Sequence, residues 1–118
     1  MQTKFNTYIN KGSIIGKTFK IKVDRVIGSI HPKHPGLIYP INYGYIEGIY
    51  ALDREEQDVY ILGIDYPVAE YTGKVIAIIH RLNDIEDKWV VANRDYSIEE
   101  IRLLTYFQEQ YYKSIIVK

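Results

Sequence analysis

Two short acidic turns carry the side chains best suited to chemistry. The first, in "LDREEQDVY", places Asp53, Glu55 and Asp58 close together. The second, "NDIEDK", holds Asn83, Asp84, Glu86 and Asp87, with Lys88 directly after. Magnesium takes oxygen ligands, usually one or two carboxylates completed by water and substrate phosphate. Two such clusters at one rim could hold several ions. Neither contains histidine or cysteine, so zinc is the poorer match. Each turn alone also fits an ordinary solvated turn, because aspartate and asparagine favour turns anyway. The basic residues alter that balance. Arg25, Lys33, Lys88 and Lys113 fall near the strand ends or loops that bear the acids. Arginine forks onto phosphate oxygens, and lysine supplies a mobile point charge. Acids mixed with bases suit a metal–phosphate complex better than an apolar ligand.

Tyrosine is the odd total, at 12 residues against 3 phenylalanines and 1 tryptophan. Each adds a hydroxyl that wants a partner to the apolar area of a ring. Half-buried strand positions account for many of them. Those in residues 39–63, around the first acidic turn, either decorate an ordinary hairpin or line a site for metal and phosphate.

The elements that must position these groups are mostly strands. "KTFKIKVD" alternates, with Phe19, Ile21 and Val23 on one face and Lys20, Lys22 and Asp24 on the other. "GSIHPKHPG" has two prolines and two glycines and reads as a loop. His31, Lys33 and His34 are then expected in solvent on a rigid turn, with phosphate contact as the alternative. "YGYIEGIYAL" and "DVYILGID" read as a hairpin joined by "DREEQ". "GKVIAIIHRL" is a well-buried strand, with His80 hydrogen-bonded at its end, and "KWVVAN" a shorter strand. "SIEEIRLLTYFQEQYYK" is the clearest helix. Ser97 and Glu100 form a capping box, and Ile98, Ile101, Leu104, Phe107 and Tyr111 make one apolar face. "SIIVK" adds a last strand. The expected fold is mainly β (α+β): a small five-stranded barrel with a C-terminal helix packed outside. Residues 17–118 form one domain, and residues 1–16 read as a tail or edge element.

The totals narrow the functional classes. A chain of 118 residues suits one domain and buries roughly two-thirds of its unfolded surface. Hydrophobic residues at 47% and charged residues at 25% argue against disorder. Fifteen bases balance fifteen acids, so no global field favours nucleic acid or an anionic membrane. The absence of cysteine excludes disulfides and thiolate chemistry. No apolar run resembles a signal peptide or a membrane span, which makes a cytoplasmic protein the expectation.

"VDR", "YPINYGYI", "LDREEQDVYILG", "EDKWVVA" and "FQEQYYK", in that order, resemble the soluble, magnesium-dependent (family I) inorganic pyrophosphatases, and in particular their short bacterial members. The likeness runs from about Lys17 to Lys113. It implies hydrolysis of pyrophosphate to two phosphates, a barrel of oligonucleotide-binding (OB) type, and a homo-oligomer, a hexamer in bacterial members. It implies magnesium, with manganese as substitute. By resemblance, Asp53 is the first metal ligand, Glu55 the acid that activates water, and Asp58 the bridging ligand. The second cluster supplies two more: Glu86, with Asp87 beside it, and either Asn83 or Asp84. Arg25 and Lys88 match phosphate-binding bases, and Tyr39 and Tyr43 match hydroxyls facing the site, with Tyr43 aiding catalysis. The terminal pair falls on Tyr111 and Tyr112, or on Tyr112 and Lys113. The chain departs from the family at Glu55, where aspartate is usual, at Asn83, and in lacking an upstream glutamate and lysine. These departures keep two alternatives open: hydrolysis of another phosphoanhydride such as a nucleotide, or metal and phosphate binding without turnover.

Overall fold

Strand β1 (Thr18–Arg25) pairs antiparallel with β4 (Asn42–Tyr50), and β4 with β5 (Glu56–Ile61). β5 runs parallel to β7 (Asp87–Ala92). β7 pairs antiparallel with β6 (Glu70–Arg81), which returns to β1 and closes a mixed five-stranded barrel. The one parallel pair makes it mixed rather than a simple meander. Helix α1 (Ile98–Glu109) packs outside, and β8 (Ser114–Val117) adds to the far end of β6. This OB-like barrel with an external helix is the expected architecture. The computed structural model describes residues 14–118, so most of the 1–16 tail or edge element lies outside the described residues.

Two apolar clusters explain why these segments become strands. Ile21, Ile46, Val59, Ile61, Val75, Ile78, Trp89 and Val91 draw on all five barrel strands and fill the barrel. Tyr39, Tyr43, Tyr60, Leu62, Ile79, Val90 and Ile101 form the second cluster, beneath the helix. Alternate residues of β5 thus serve opposite faces, Val59 and Ile61 inward and Tyr60 and Leu62 toward α1, as the period of a strand requires. β6 keeps Val75 and Ile78 on one face through a register shift between Val75 and Ala77.

Gly44 is required where β1 crosses β4. A Cβ there would lie 1.9 Å from the Lys22 carbonyl oxygen, so only glycine fits. That close approach fixes the neighbouring Tyr43.

Helix α1 starts as expected, with Ser97 and Glu100 exchanging both capping-box hydrogen bonds. Its buried face differs from the apolar stripe. Ile101 is fully buried, whereas Ile98 and Tyr111 are exposed, and the C-terminal turn buries Thr105, Gln108 and Glu109. The reason is electrostatic: Glu109 lies against the buried Arg81 guanidinium. The "GSIHPKHPG" segment also differs from the expected loop. β2 (Ile30–His31) and β3 (His34–Ile38) form a small hairpin, in which the Lys33 backbone N–H donates to His31 Nδ1. Pro35 is tolerated because an edge strand needs no N–H there.

Candidate functional site

An open cavity of about 480 Å³ forms where five parts of the chain meet. The end of β1 contributes Asp24 and Arg25, and the β2–β3 hairpin contributes His31, Pro32, Lys33, His34 and Leu37. The barrel contributes Tyr43, Asp58, Arg81 and Lys88, with Tyr39 from the link that leads into β4, and the β6–β7 turn contributes Asp84 and Glu86. The end of α1 and the residues after it contribute Gln108, Tyr111 and Tyr112.

Lys88 is the centre of this wall. Its ammonium is almost wholly buried and donates to Tyr43 Oη at 3.0 Å, Asp58 Oδ2 at 2.6 Å and Glu86 Oε1 at 2.5 Å. Burial opposes the charge on Lys88, but Tyr43 and the two carboxylates outweigh it and hold its pKa above the ordinary value. Burial pushes the Tyr43 hydroxyl well above its usual pKa, so it remains a neutral hydroxyl. Burial also raises the Asp24 carboxyl, against the pull of Arg25.

A second network braces the same wall from behind. Tyr39 Oη donates to Gln108 Oε1 at 3.3 Å, and Gln108 Nε2 donates to Tyr60 Oη at 2.8 Å. Tyr60 Oη in turn donates to Glu109 Oε2 at 2.6 Å. Arg81 donates to both Glu109 oxygens, at 3.1 Å and 2.7 Å, and more loosely to Asp84 at 3.4 Å. Its guanidinium lies 3.6 Å from the Tyr112 ring centroid. No buried side-chain donor or acceptor is left unmatched among the described residues. Helix, barrel and β6–β7 turn are thereby tied together by bidentate, charge-assisted contacts.

The residues singled out by sequence divide into two groups. Arg25, Tyr39, Tyr43, Asp58, Asp84, Glu86, Lys88, Tyr111 and Tyr112 come together at the cavity. Asp53 and Glu55 instead sit in the β4–β5 turn, where the Asp53 carboxylate accepts the Glu55 backbone N–H at 3.0 Å and Glu55 is exposed. Asp87 bonds His80 at 2.7 Å, as the reading of His80 at a strand end anticipated. Asn83 accepts the Lys113 backbone N–H at 3.3 Å, which ties the second acidic turn to the segment before β8.

Sequence reasoning passed over Asp24, Arg81 and Gln108. Asp24 falls on the lysine face of β1 by alternation, but the β1–β4 register shifts between Val23 and Arg25 and breaks that alternation. Arg81 falls inside "GKVIAIIHRL", where the apolar run masks a buried cation. A glutamate four residues short of the "YYK" end was the available signal for its partner. The hairpin residues His31, Lys33 and His34 also line the cavity rather than standing clear of it.

The carboxylates around the cavity are already engaged by neighbouring side chains. Asp58 and Glu86 both spend their charge on the Lys88 ammonium, Asp84 faces Arg81, and Asp87 faces His80. Among the described residues no three of histidine, cysteine, aspartate or glutamate gather into a group that could hold a metal ion. The arrangement does not fit a preassembled multi-metal cluster.

A closed mixed barrel with a cavity at the β6–β7 turn and a helix outside defines an OB-like barrel protein. No protein-family model and no curated protein matches the chain. Its fold is that of bacterial soluble inorganic pyrophosphatases. It is similar to the inorganic pyrophosphatase from Ehrlichia chaffeensis with a TM-score of 0.65 and 15% identity, over 85% of this chain and 84% of that one. The enzyme from Helicobacter pylori matches with a TM-score of 0.62 and 11% identity, over 86% and 85%. The one from Neisseria gonorrhoeae matches at 0.59 and 19%, over 81% and 74%. No described helix is long and apolar enough to cross a membrane.

Proposed function

We propose that the chain hydrolyses a phosphoanhydride, with inorganic pyrophosphate as the simplest substrate. The observation that carries this reading is the buried Lys88 ammonium. It is held between Asp58, Glu86 and the Tyr43 hydroxyl at the wall of a cavity shared with Arg25 and Arg81. Preorganised donors of this kind stabilise charge that develops on transferring and leaving oxygens. The Arg25 guanidinium donates to the Asp24 carbonyl at 3.2 Å and lies 3.9 Å from the Asp24 carboxylate, which leaves donors on the cavity side to fork onto a phosphate. Lys88 uses its three N–H donors within the wall, and the Tyr43 hydroxyl that accepts from it donates its own proton to the oxygens of the leaving phosphate. Asp58 is one-third exposed on the cavity wall and is placed to accept the proton of the attacking water.

Magnesium or manganese belongs to this proposal as the counter-ion that travels with the substrate, since phosphoanhydrides bind as metal complexes completed by one or two carboxylates. Asp53 and Glu55 take the roles that the resemblance implies when the β4–β5 turn closes on that complex, and Asn83 takes its own from the β6–β7 turn. The same resemblance implies a cytoplasmic homo-oligomer, a hexamer, with no nucleic acid and no membrane as partner. Leu103, 77% exposed on the outer face of α1, offers apolar surface for such contacts. Light scattering behind a sizing column measures the mass.

The test is phosphate release from pyrophosphate by the purified chain, with and without magnesium. Metal-dependent turnover supports the reading. Binding of pyrophosphate without turnover points instead to a non-catalytic phosphate-binding module.

A further inference from the structure

Inorganic pyrophosphate has no apolar surface, yet one wall of the cavity is aromatic. Four rings run along it in order: Tyr39, His31, His34 and Tyr111, with centroids 5.7, 4.7 and 5.8 Å apart. The first and last steps are close to parallel, with interplanar angles of 3° and 21°. The ladder joins the β2–β3 hairpin to the segment after α1, so its rings are held from two distant parts of the sequence. Its last ring, Tyr111, lines the cavity but is 59% exposed. A tyrosine so exposed has an unfilled face, and an exposed face on a held ring is a stacking platform. The volume, about 480 Å³, falls within the ~300–1,000 Å³ that encloses a drug-sized molecule.

Resting on the phosphate reading above, we infer that the site takes a phosphoanhydride esterified to a flat aromatic group, namely a nucleoside diphosphate. Its base extends the His34–Tyr111 stack, and its anhydride lies over Arg25 and the Tyr43 hydroxyl that Lys88 holds. Water adds to the terminal phosphorus and gives its proton to Asp58. The bond to the bridging oxygen breaks, and that oxygen leaves with the nucleoside monophosphate. Neutral overall charge does not oppose this ligand, because the recognising cations are local to the cavity. The ring ladder is already assembled, so stacking costs little further ordering.

The test is calorimetric titration of the full chain, in excess magnesium, with adenosine diphosphate, methyl diphosphate and inorganic pyrophosphate. Methyl diphosphate carries the same ester and anhydride without a base. Adenosine diphosphate is expected to bind roughly 5- to 150-fold more tightly than methyl diphosphate, the range that base–aromatic stacking spans. Tyr111→Phe keeps that ratio, and Tyr111→Ala collapses it toward one. Equal affinities for the two esters in the wild-type chain, with pyrophosphate still bound, overturn the nucleotide inference and leave the phosphate reading standing. Binding of none of the three overturns both.

Discussion

The β4–β5 turn and the β6–β7 turn look alike in sequence and differ in the folded chain. Each follows a strand, and each is rich in acids. The β6–β7 turn is bound on three sides. Arg81 reaches Asp84 and Glu109, Lys88 reaches Glu86, and Asn83 accepts a hydrogen bond from the Lys113 backbone. The β4–β5 turn is held mainly by itself, through Ala51 N–H to Glu55 C=O at 2.9 Å and Glu55 N–H to Asp53. Between Ile46 and Tyr50 its β4 side advances four residues against one on β5, and this bulge carries the tip away from the regular strand course. Acidic composition alone therefore does not place a turn at a site. Cations fixed by the core beside it do.

Glu109 gives the largest expected effect on that contrast. Its carboxylate is buried with Arg81 and accepts from Tyr60, so Glu109→Ala leaves a buried guanidinium unpaired. Loss of one partner of a buried pair costs about 3–5 kcal/mol. Urea unfolding is expected to show that loss, together with loosening of the β6–β7 turn in hydrogen exchange. An unchanged midpoint would mean that the helix does not brace the turn.

Lys88→Met comes next. It removes the cation but preserves much of the stem volume, leaving Asp58 and Glu86 to repel each other. Charge-assisted bonds of this kind are worth about 1.5–3 kcal/mol each, discounted here because both carboxylates are partly exposed. Turnover of the best phosphoanhydride is expected to fall on the order of 100-fold, the loss typical of one missing charge-stabilising donor. Asp58→Asn, nearly isosteric, is expected to reduce turnover comparably and to lower the unfolding midpoint by less than Lys88→Met, since Glu86 still pairs with the buried ammonium. Retained activity in both variants would move the chemistry away from the β6–β7 side.

The barrel was legible in the sequence because its strands alternate or run apolar, and because Ser97 and Glu100 mark the helix start without any tertiary input. The cavity was legible in part. Lys88 and Arg25 were found by type and neighbourhood, and Tyr43 by the family resemblance. Asp24 escaped because a one-residue register shift is invisible to a period-two reading. Gln108 and Glu109 escaped because polar residues in a last helical turn read as solvent-facing until a buried arginine is set against them. The β4–β5 acids show the converse limit: spacing shows which side chains neighbour one another but not the direction of a bulged hairpin tip.

The pocket-side hairpin carries its own reporter. Burial, and then the neighbouring His34, holds His31 below its ordinary pKa. In the window between that lowered value and the unfolded value near 6.5, the unfolded chain binds more protons than the folded one. Stability from this group is therefore full above that window and falls as pH drops through it. A small decline in the urea midpoint on acidification is expected, and His31→Asn should remove it. A decline that persists in the variant assigns it to other groups.

The smallest expected effect lies at the other turn, and it decides the comparison. Asp53 and Glu55 make no contact with the cavity wall as described, and Arg54 between them holds a left-handed φ of 70°. Exposed substitutions away from a buried feature usually shift stability by less than about 0.5 kcal/mol. Glu55→Gln and Asp53→Asn are therefore expected to leave the unfolding midpoint nearly unchanged, and to alter turnover by no more than a few-fold if the two turns differ in function as they differ in placement. A drop on the order of 100-fold in either variant, at unchanged stability, would show that the β4–β5 turn folds over the bound phosphoanhydride. Glu55→Asp then separates the two remaining possibilities. A gain in rate identifies the longer side chain as a handicap, since misplacement of about 1 Å can cost 100-fold. A loss identifies a site built around glutamate, with the turn reaching across to a substrate that Arg25 and the Tyr43 hydroxyl already hold.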